Sequence, residues 1–538
     1  MSRHRMTRRD FLQLATVAAA AGSLPPMAAG AAQPAAATPK KGGVYVVGRA
    51  RTPSFFDCDF LTSVFDIQIN AIFYSGLVRL DQQGEVVNDL AAKWDWSSDG
   101  MKLNFQLVPG VRFHDGSPLT SEDVAWSLNK MMGKVQGHGK SGRMGLLENY
   151  VKGITTEGPL GVTLQLGQAR PAVVIKLLAT DFGGITKKST TRDMLAKAPA
   201  GCGPFVMKEL VKGSHLLAER NPNYHRPGLP YLDGIKFMIV GDEAGWIALS
   251  TGKLDMFTTA SSLPPDMRST LEKAGLIVHL YASDNANYLI FNLTRDTPFK
   301  DKRVRQAVNL AFDRDAYRQA VQYGQTKLGT LWPEDTPVWG HTGAELRKMP
   351  GFRVPKEADL AEAKRLMAEA GHPSGFDTTM EVPNESDMVR STEWIALELR
   401  KIGIRAAVRI VPSQEWDVFL ARDKKFTFCM DSYTMVTDDP DEKILGYLTS
   451  TAPRNNMGYS NPQFDALALR MSKETDQAKR VQLIREMEKI LDDDMPRALV
   501  YERVRPFAYQ PYVQNTLPPY PKTTVYARNR YDEVWLNK

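Results

Sequence analysis

The stretch from Asn88 to Leu128, NDLAAKWDWSSDGMKLNFQLVPGVRFHDGSPLTSEDVAWSL, restricts what this chain can fold into more than any other. From Lys102 to Leu107 polar and apolar residues alternate, with Leu103, Phe105 and Leu107 on one side. A period of two predicts a strand with one buried face. Pro109-Gly110 interrupts it, Val111 to Phe113 is a second short extended run, and Asp115-Gly116 supplies a tight turn. Thr120 then caps a helix with Asp123 at its third position, and Val124, Trp126 and Leu128 extend it. Asp99, His114, Asp115, Glu122 and Asp123 read as turn and helix-start residues rather than as an acid–base set.

That ordered run, a Trp-bearing strand, an SSDG turn and then LxPGVRFHDGSPLTxEDVxxSL, resembles the peptide/nickel-type extracellular solute-binding proteins of ABC importers, family 5. A second block carries the same resemblance. Asn287 to Arg314 reads NYLIFNLTRDTPFKDKRVRQAVNLAFDR, a strand, a Pro298-Phe299 turn and a helix burying Val304, Ala307, Val308, Ala311 and Phe312. The helix's polar face, Arg303, Arg305 and Gln306, is expected to be solvated. Shorter matches lie at Gly201 to Phe205, where Cys202 replaces the usual threonine or serine, and at Glu219 to Tyr224. The resemblance extends from Gly42 to Trp535.

Composition agrees with such a protein and excludes others. At 538 residues the chain is too long for one ordinary core. Its formal charge is +7; Arg3, Arg5, Arg8 and Arg9 against Asp10 contribute +3, leaving +4 elsewhere, too little and too dispersed for nucleic acid. Residues 1–32 read as a targeting segment, with the twin-arginine pattern Thr7-Arg8-Arg9-Asp10-Phe11-Leu12-Gln13, a short apolar run and small-residue cleavage sites at 29–32. Arg8 and Arg9 are the expected export signal, and 33–41 a flexible mature terminus. Cys58, Cys202 and Cys429 are odd in number and far apart, neither a disulfide framework nor a zinc site. Gly139-Lys140-Ser141 imitates a phosphate loop, but position 134 is lysine where glycine is required, so 133–145 reads as a mobile glycine-rich loop. The histidines show no ligand spacing, and GxSxG, CxxC and HExxH motifs are absent. No metal, cofactor or catalytic residue is expected.

Alternating helices and strands from Ala358 to Val411 predict an α/β fold with a mixed sheet. The resemblance implies a periplasmic binding protein-like architecture: two large lobes, three subdomains, joined by a hinge. Lobe I is expected at 42–74 plus 190–285 plus 505–538, lobe II at 75–189 and lobe III at 286–504. Between Ser413 and Pro440, a Trp-bearing element precedes a helix at Val418 to Leu420, then a strand at Phe426 to Met430. The resemblance places Trp416 and Tyr433 in the ligand pocket, and Thr62 and Val64, in a loop before a helix at Ile67 to Gly76, beside them. It also marks a departure. Where peptide binders carry an Asp that pairs with the ligand's ammonium, a gap-free count from Pro440 gives Val436; Asp438 or Asp431 could substitute. Met430 stands where one oligopeptide-binding pattern has arginine. The expected function is a monomeric periplasmic binding protein that captures a peptide or other small solute and delivers it to a membrane permease with ATPase subunits. The competing reading is an exported periplasmic enzyme, which twin-arginine export often serves.

Overall fold

The computed structural model describes residues 38–53, 55–60, 64–81, 84–259, 261–336, 338–413, 415–416, 418–435, 437, 439–516 and 531–538. Arg8, Arg9, Thr62, Val436 and Asp438 lie outside the described residues, as does the side chain of Val64.

Strand β1 (Val44–Arg49) starts the larger sheet, and four strands form a separate antiparallel sheet: β2 (Ala91–Trp96), β3 (Lys102–Leu107), β4 (Val151–Glu157) and β5 (Gly161–Leu166), in the order β2-β3-β5-β4. The alternation in β3 does what its period requires. Leu103, Phe105 and Leu107 are buried in one cluster with Val124 and Leu128 of helix α1 (Ser121–Met131), while Lys102 and Gln106 are exposed. The start of α1 is fixed by Asp123, whose carboxylate accepts from the Thr120 amide at 2.9 Å and hydroxyl at 2.8 Å. Val111 to Phe113 forms only a single bridge, Arg112 to Pro118, closed by a turn with Gly116 at φ +84°. That left-handed backbone is the reason for glycine there.

Nine further strands complete a ten-stranded mixed sheet: β6 (Phe205–Val211), β7 (His215–Arg220), β8 (Gly234–Ile239), β9 (Met256–Thr258), β10 (Ile277–Phe291), β11 (Phe376–Pro383), β12 (Ile404–Val411), β13 (Phe428–Thr434) and β14 (Arg497–Tyr509). Their order is β12-β11-β13-β10-β14-β9-β1-β8-β7-β6. β1 runs parallel to β8 and β9, and β11 parallel to β12 and β13, whereas β10 is antiparallel to both β13 and β14. The two long strands β10 and β14 thus join the two ends of the sheet. Their pairing shifts register between Ala282 and Ala286, opposite Val504 and Glu502, and such an irregularity bends a ladder locally.

A second core lies under helix α2 (Lys302–Ala311). Val304, Ala307, Val308 and Ala311 pack there with Leu289, Phe291, Met380, Val382 and Phe428, as the 3.6-residue spacing predicts. Met430 is fully buried in the same cluster, so it faces the α2 side of the sheet, away from Tyr433. Beyond α2 come α3 (Glu357–Glu369), α4 (Ser386–Leu399), α5 (Pro440–Tyr447), α6 (Pro462–Lys473) and α7 (Gln477–Asp494). Among the described residues no helix is long and apolar enough to cross a membrane.

Several expectations are corrected. The helix expected over 67–76 spans Val64–Asn70, and Gly76 instead bridges Gly184, where neighbouring carbonyls leave little room for a side chain. The 133–145 segment is anchored rather than loose: the buried Ser141 hydroxyl donates to the Asp59 carbonyl and the Ser141 amide to the Met131 carbonyl at 3.1 Å. β13 continues to Thr434, placing Asp431 and Tyr433 on a strand. Arg305, expected in solvent, is buried and donates to the carbonyls of Phe299 (2.7 Å), Lys300 (2.9 Å), Asp494 (3.0 Å) and Met495 (2.9 Å). Its guanidinium thereby satisfies the open C-terminal carbonyls of α7. Replacing it, Arg305→Met, should destabilise the protein by about 3 kcal/mol, because several buried carbonyls lose their donor at once. The urea midpoint checks this; an unchanged midpoint would mean water replaces the guanidinium without cost.

Candidate functional site

Tyr433 and Trp416 share the face of β13 opposite to Met430. Trp416 is buried, and its indole Nε1–H donates to Asp431 Oδ1 at 3.1 Å while its ring stacks on Phe419 at 5.7 Å. That bond fixes the indole's orientation and engages an oxygen of the carboxylate considered as a substitute ammonium anchor. Tyr433 stands edge-on between Tyr288 (5.4 Å) and Tyr447 (4.6 Å), with the Arg497 guanidinium 5.3 Å from its ring. Its hydroxyl has no hydrogen-bond partner among the described residues. Burial, then the Asp431 charge, raises the phenol's pKa well above its ordinary value, so it stays protonated.

The end of β13 is where distant parts of the chain meet. The Thr434 carbonyl accepts from Arg143 Nη1 at 2.7 Å and from the Tyr447 hydroxyl at 3.4 Å, and the Thr434 hydroxyl accepts from Asn285 Nδ2. Close by, the Tyr150 hydroxyl donates to Asp441 Oδ2 at 2.6 Å, which also accepts from Ser472 at 2.7 Å. Arg480 bridges Asp439 (2.9 Å) and Asp441 (3.3 Å). Burial, and then the neighbouring Asp439, pushes the Asp441 carboxyl up. Asp439 caps α5 by accepting from the Asp441 amide at 3.0 Å, and Thr437 donates its amide to Glu442 at 2.7 Å. The chain on either side of positions 436 and 438 is therefore pinned.

A buried charge cluster holds the opposite wall. Lys130, at the end of α1 and fully buried, donates to both Asp57 and Asp59, which lie just before the 61–63 segment. Burial holds Asp59 well above the usual carboxylate range, against the attraction of Lys130. Burial pushes Asp57 up as well, but the hydrogen bond with Asp59 and the Lys130 charge outweigh it and bring it below its ordinary value. Asp57 is thus the more acidic of the two, and Lys130 is the cation that both share.

Asp57, Cys58 and Asp59 also form the one grouping among the described residues with three ligand atoms close enough for a metal ion. Lys130 already occupies both carboxylates, and burial pushes the Cys58 thiol far above its ordinary pKa, so the set does not fit a divalent ion. All three cysteines are buried and free. Of the residues singled out in the sequence, the structure brings together Trp416, Asp431 and Tyr433; Thr62, Val436, Asp438 and the Val64 side chain are not described. Arg143, Tyr150 and Lys130 carry no sequence signal, since each depends on a partner 71 to 291 positions away.

The family model described as bacterial extracellular solute-binding proteins, family 5, middle part, matches residues 85–455. A probable di/tripeptide-binding protein 5 of Pseudomonas aeruginosa is 26% identical over 86% of this chain and 90% of its own length. A probable deoxycholate-binding periplasmic protein of Escherichia coli is 25% identical over 86% and 89%. Among solved structures, the ABC transporter-associated periplasmic binding protein DppA of Helicobacter pylori, in complex with the peptide STSA, superimposes with a TM-score of 0.80 at 24% identity over 93% of this chain and 99% of its own.

The lysine cluster yields a prediction with a pH signature. Lys130→Met leaves two buried carboxylates unpaired and should cost about 3–5 kcal/mol near neutral pH. Without the ammonium, both folded-state carboxyl pKa values move up. The deficit should therefore shrink as pH falls towards their unfolded value of about 4, where both groups are protonated. Thermal melts of both proteins across that range check it; a pH-independent deficit would show that the lysine acts through packing alone.

Proposed function

The chain belongs to the bacterial extracellular solute-binding proteins of family 5, and we propose that it captures a short peptide or related small solute between its lobes in the periplasm and delivers it to an ABC permease driven by ATPase subunits. The observation that carries this reading is the match of the family model across 85–455 together with the meeting point at Thr434. Members of the family bind solutes, and nothing in the geometry favours the exported enzyme. Export by the twin-arginine route through Arg8 and Arg9, and a monomeric state, complete the proposal.

The lobes are assigned as 42–74 with 190–285 and 505–538, 75–189, and 286–504. What supports the hinge is the register shift of β10 against β14 at 282–286 and 502–504, which falls at the assigned boundaries. Arg143 and Tyr150, from 75–189, reach Thr434 and Asp441 in 286–504; these bonds act as a clasp made when the lobes close. Trp416, Tyr433, Thr62, Val64, Val436 and Asp438 are assigned to the cleft that the clasp closes. Tyr433 offers a ring face and an unpartnered hydroxyl, a large contact area with one polar tip. What supports a broad solute class is that the relatives carry names for chemically different solutes, a probable di/tripeptide-binding protein and a probable deoxycholate-binding protein. With valine at position 436 and Asp431 engaged by Trp416, recognition does not depend on a charged amino terminus.

Titration of the purified protein with tri-alanine and its N-acetylated form tests this. The two should bind saturably with affinities within about threefold of each other, because a lost charge-assisted pair would cost about 10- to 150-fold. A large loss on acetylation would assign the ammonium to a carboxylate, Asp438 first. Failure of both across a peptide panel would overturn the peptide reading and direct the search to another solute.

A further inference from the structure

Beside the irregular stretch of the β10–β14 ladder, a short segment that belongs to neither strand crosses from one lobe to the other. Lys327 makes an isolated antiparallel bridge with Glu502 of β14. Its amide donates to the Glu502 carbonyl at 3.3 Å, and its carbonyl accepts from the Glu502 amide at 2.8 Å. Glu502 stands opposite Ala286, where the register shifts. Just before Lys327 the chain makes a tight turn, closed by the Gln325 amide donating to the Gln322 carbonyl at 2.8 Å. Both central residues are left-handed, Tyr323 at φ +52° and Gly324 at φ +75°, the pattern of a type I′ turn. Glycine takes that backbone freely. Tyrosine takes it at a cost, and such strain persists where the surroundings hold it.

The two glutamines that flank the turn hold it, and both reach into lobe I. Gln322 is buried; its Nε2 donates to the Tyr317 hydroxyl at 2.6 Å and to Asp387 Oδ1 at 3.1 Å, while its Oε1 accepts from the Ser262 hydroxyl. Asp387 in turn accepts from the hydroxyl of Tyr501 on β14. Gln325 engages both backbone groups of one residue: Nε2 donates to the Leu263 carbonyl at 2.7 Å, and Oε1 accepts from the Leu263 amide at 3.2 Å. The side-chain amide thus does for Leu263 what a neighbouring strand would do. Leu263 is packed with Trp246, Leu249 and Phe257 and so moves with lobe I. Gln322 and Lys327 are tied to β14 and move with lobe III. None of these bonds involves Trp416 or Tyr433.

We propose, as an inference that rests on the lobe assignment, that residues 322–327 are a hinge strap and that Gln322 and Gln325 are positioning residues for capture. They hold lobe I against lobe III in the closed protein and release Ser262 and Leu263 when it opens. Gln325 lies two residues, about 7 Å of extended chain, from the bridge at Glu502. Rotation of the lobes about the bend therefore carries Leu263 away from it while the bridge stays made. In the open protein water takes the freed groups, so the strap contributes a modest bias towards closure, which bound solute completes.

The first test needs no solute. Ser262→Cys with Gln325→Cys, joined by a reducible bis-methanethiosulfonate with a two-carbon spacer, fixes the strap to lobe I; the native cysteines are buried and escape the reagent. Scattering from the solute-free bridged protein should give a smaller radius of gyration than from the same protein after reduction. Equal radii, or a pair that cannot be bridged, would overturn the strap. If the radii are equal while solute still compacts the wild type, the strap fails and lobe closure stands. The second test is Gln325→Met, which keeps the length of the side chain and removes both bonds to Leu263. It should weaken tri-alanine binding about tenfold, through faster release, because the bonds are lost only from the closed state. Unchanged affinity in a variant that melts as the wild type does would contradict the proposal. Tri-alanine that binds neither protein counts against the peptide reading alone, and the radii then decide the strap.

Discussion

The pairing of β10 with β14 is the constraint on which the rest of this molecule depends. Both strands are long enough to belong to each half of the ten-stranded sheet, one half built by β1 and β6 to β9, the other by β11 to β13. Because all the intervening ladders hang on this pair, its two adjacent irregularities, between Ala282 and Ala286 and between Asn287 and Tyr288, decide where the sheet can bend. Everything proposed for function lies around that point. Asn285 and Thr434 join directly beside it, Tyr433 is opposite Ala286 in register, and Arg503 donates to Asn287 at 3.2 Å.

Two kinds of interaction set the walls around this bend. On one side, a buried lysine with two aspartates fixes the start of the segment leading to Thr62. On the other, aromatic side chains and pinned carboxylates fix the end of β13 and the start of α5. Buried ion clusters are weak devices for stability but strict ones for geometry, because a displaced charge would lose its partner in a medium that cannot solvate it. That suits the proposed capture, in which the walls hold their shape while the lobes close. Apolar packing does the bulk stabilising elsewhere, in the clusters under α1 and α2.

Local pattern was legible where local physics decides. Leu103, Phe105 and Leu107 on one face, Asp123 at the start of α1 and the apolar stripe of α2 follow from period and capping chemistry alone. The resemblance supplied the fold, which the family match and the superposition of solved structures bear out. What the sequence hid were partnerships across long separations. Arg305 read as a solvated helix residue because the carbonyls it satisfies come from Asp494 and Met495, nearly two hundred positions later. Met430 stands where one oligopeptide-binding pattern has arginine, yet strand alternation from Tyr433 places it in the opposite core. The helix before Gly76 ends early because Asn70 turns its side chain onto the Asp66 and Phe55 carbonyls, at 2.8 and 3.2 Å. Trp416 and Tyr433 were found through resemblance, whereas the bond from Trp416 to Asp431 and the Arg497 guanidinium between Tyr288 and Tyr433 required the fold.

The central claim is that solute capture closes the lobes about the β10–β14 bend. Small-angle X-ray scattering of the protein, freed of solute and then saturated with the solute that copurifies from its own periplasm, tests it most directly. The radius of gyration should fall on saturation, and the protein should return the solute chemically unchanged. An unchanged radius at saturation, or a solute converted to product, would contradict the account.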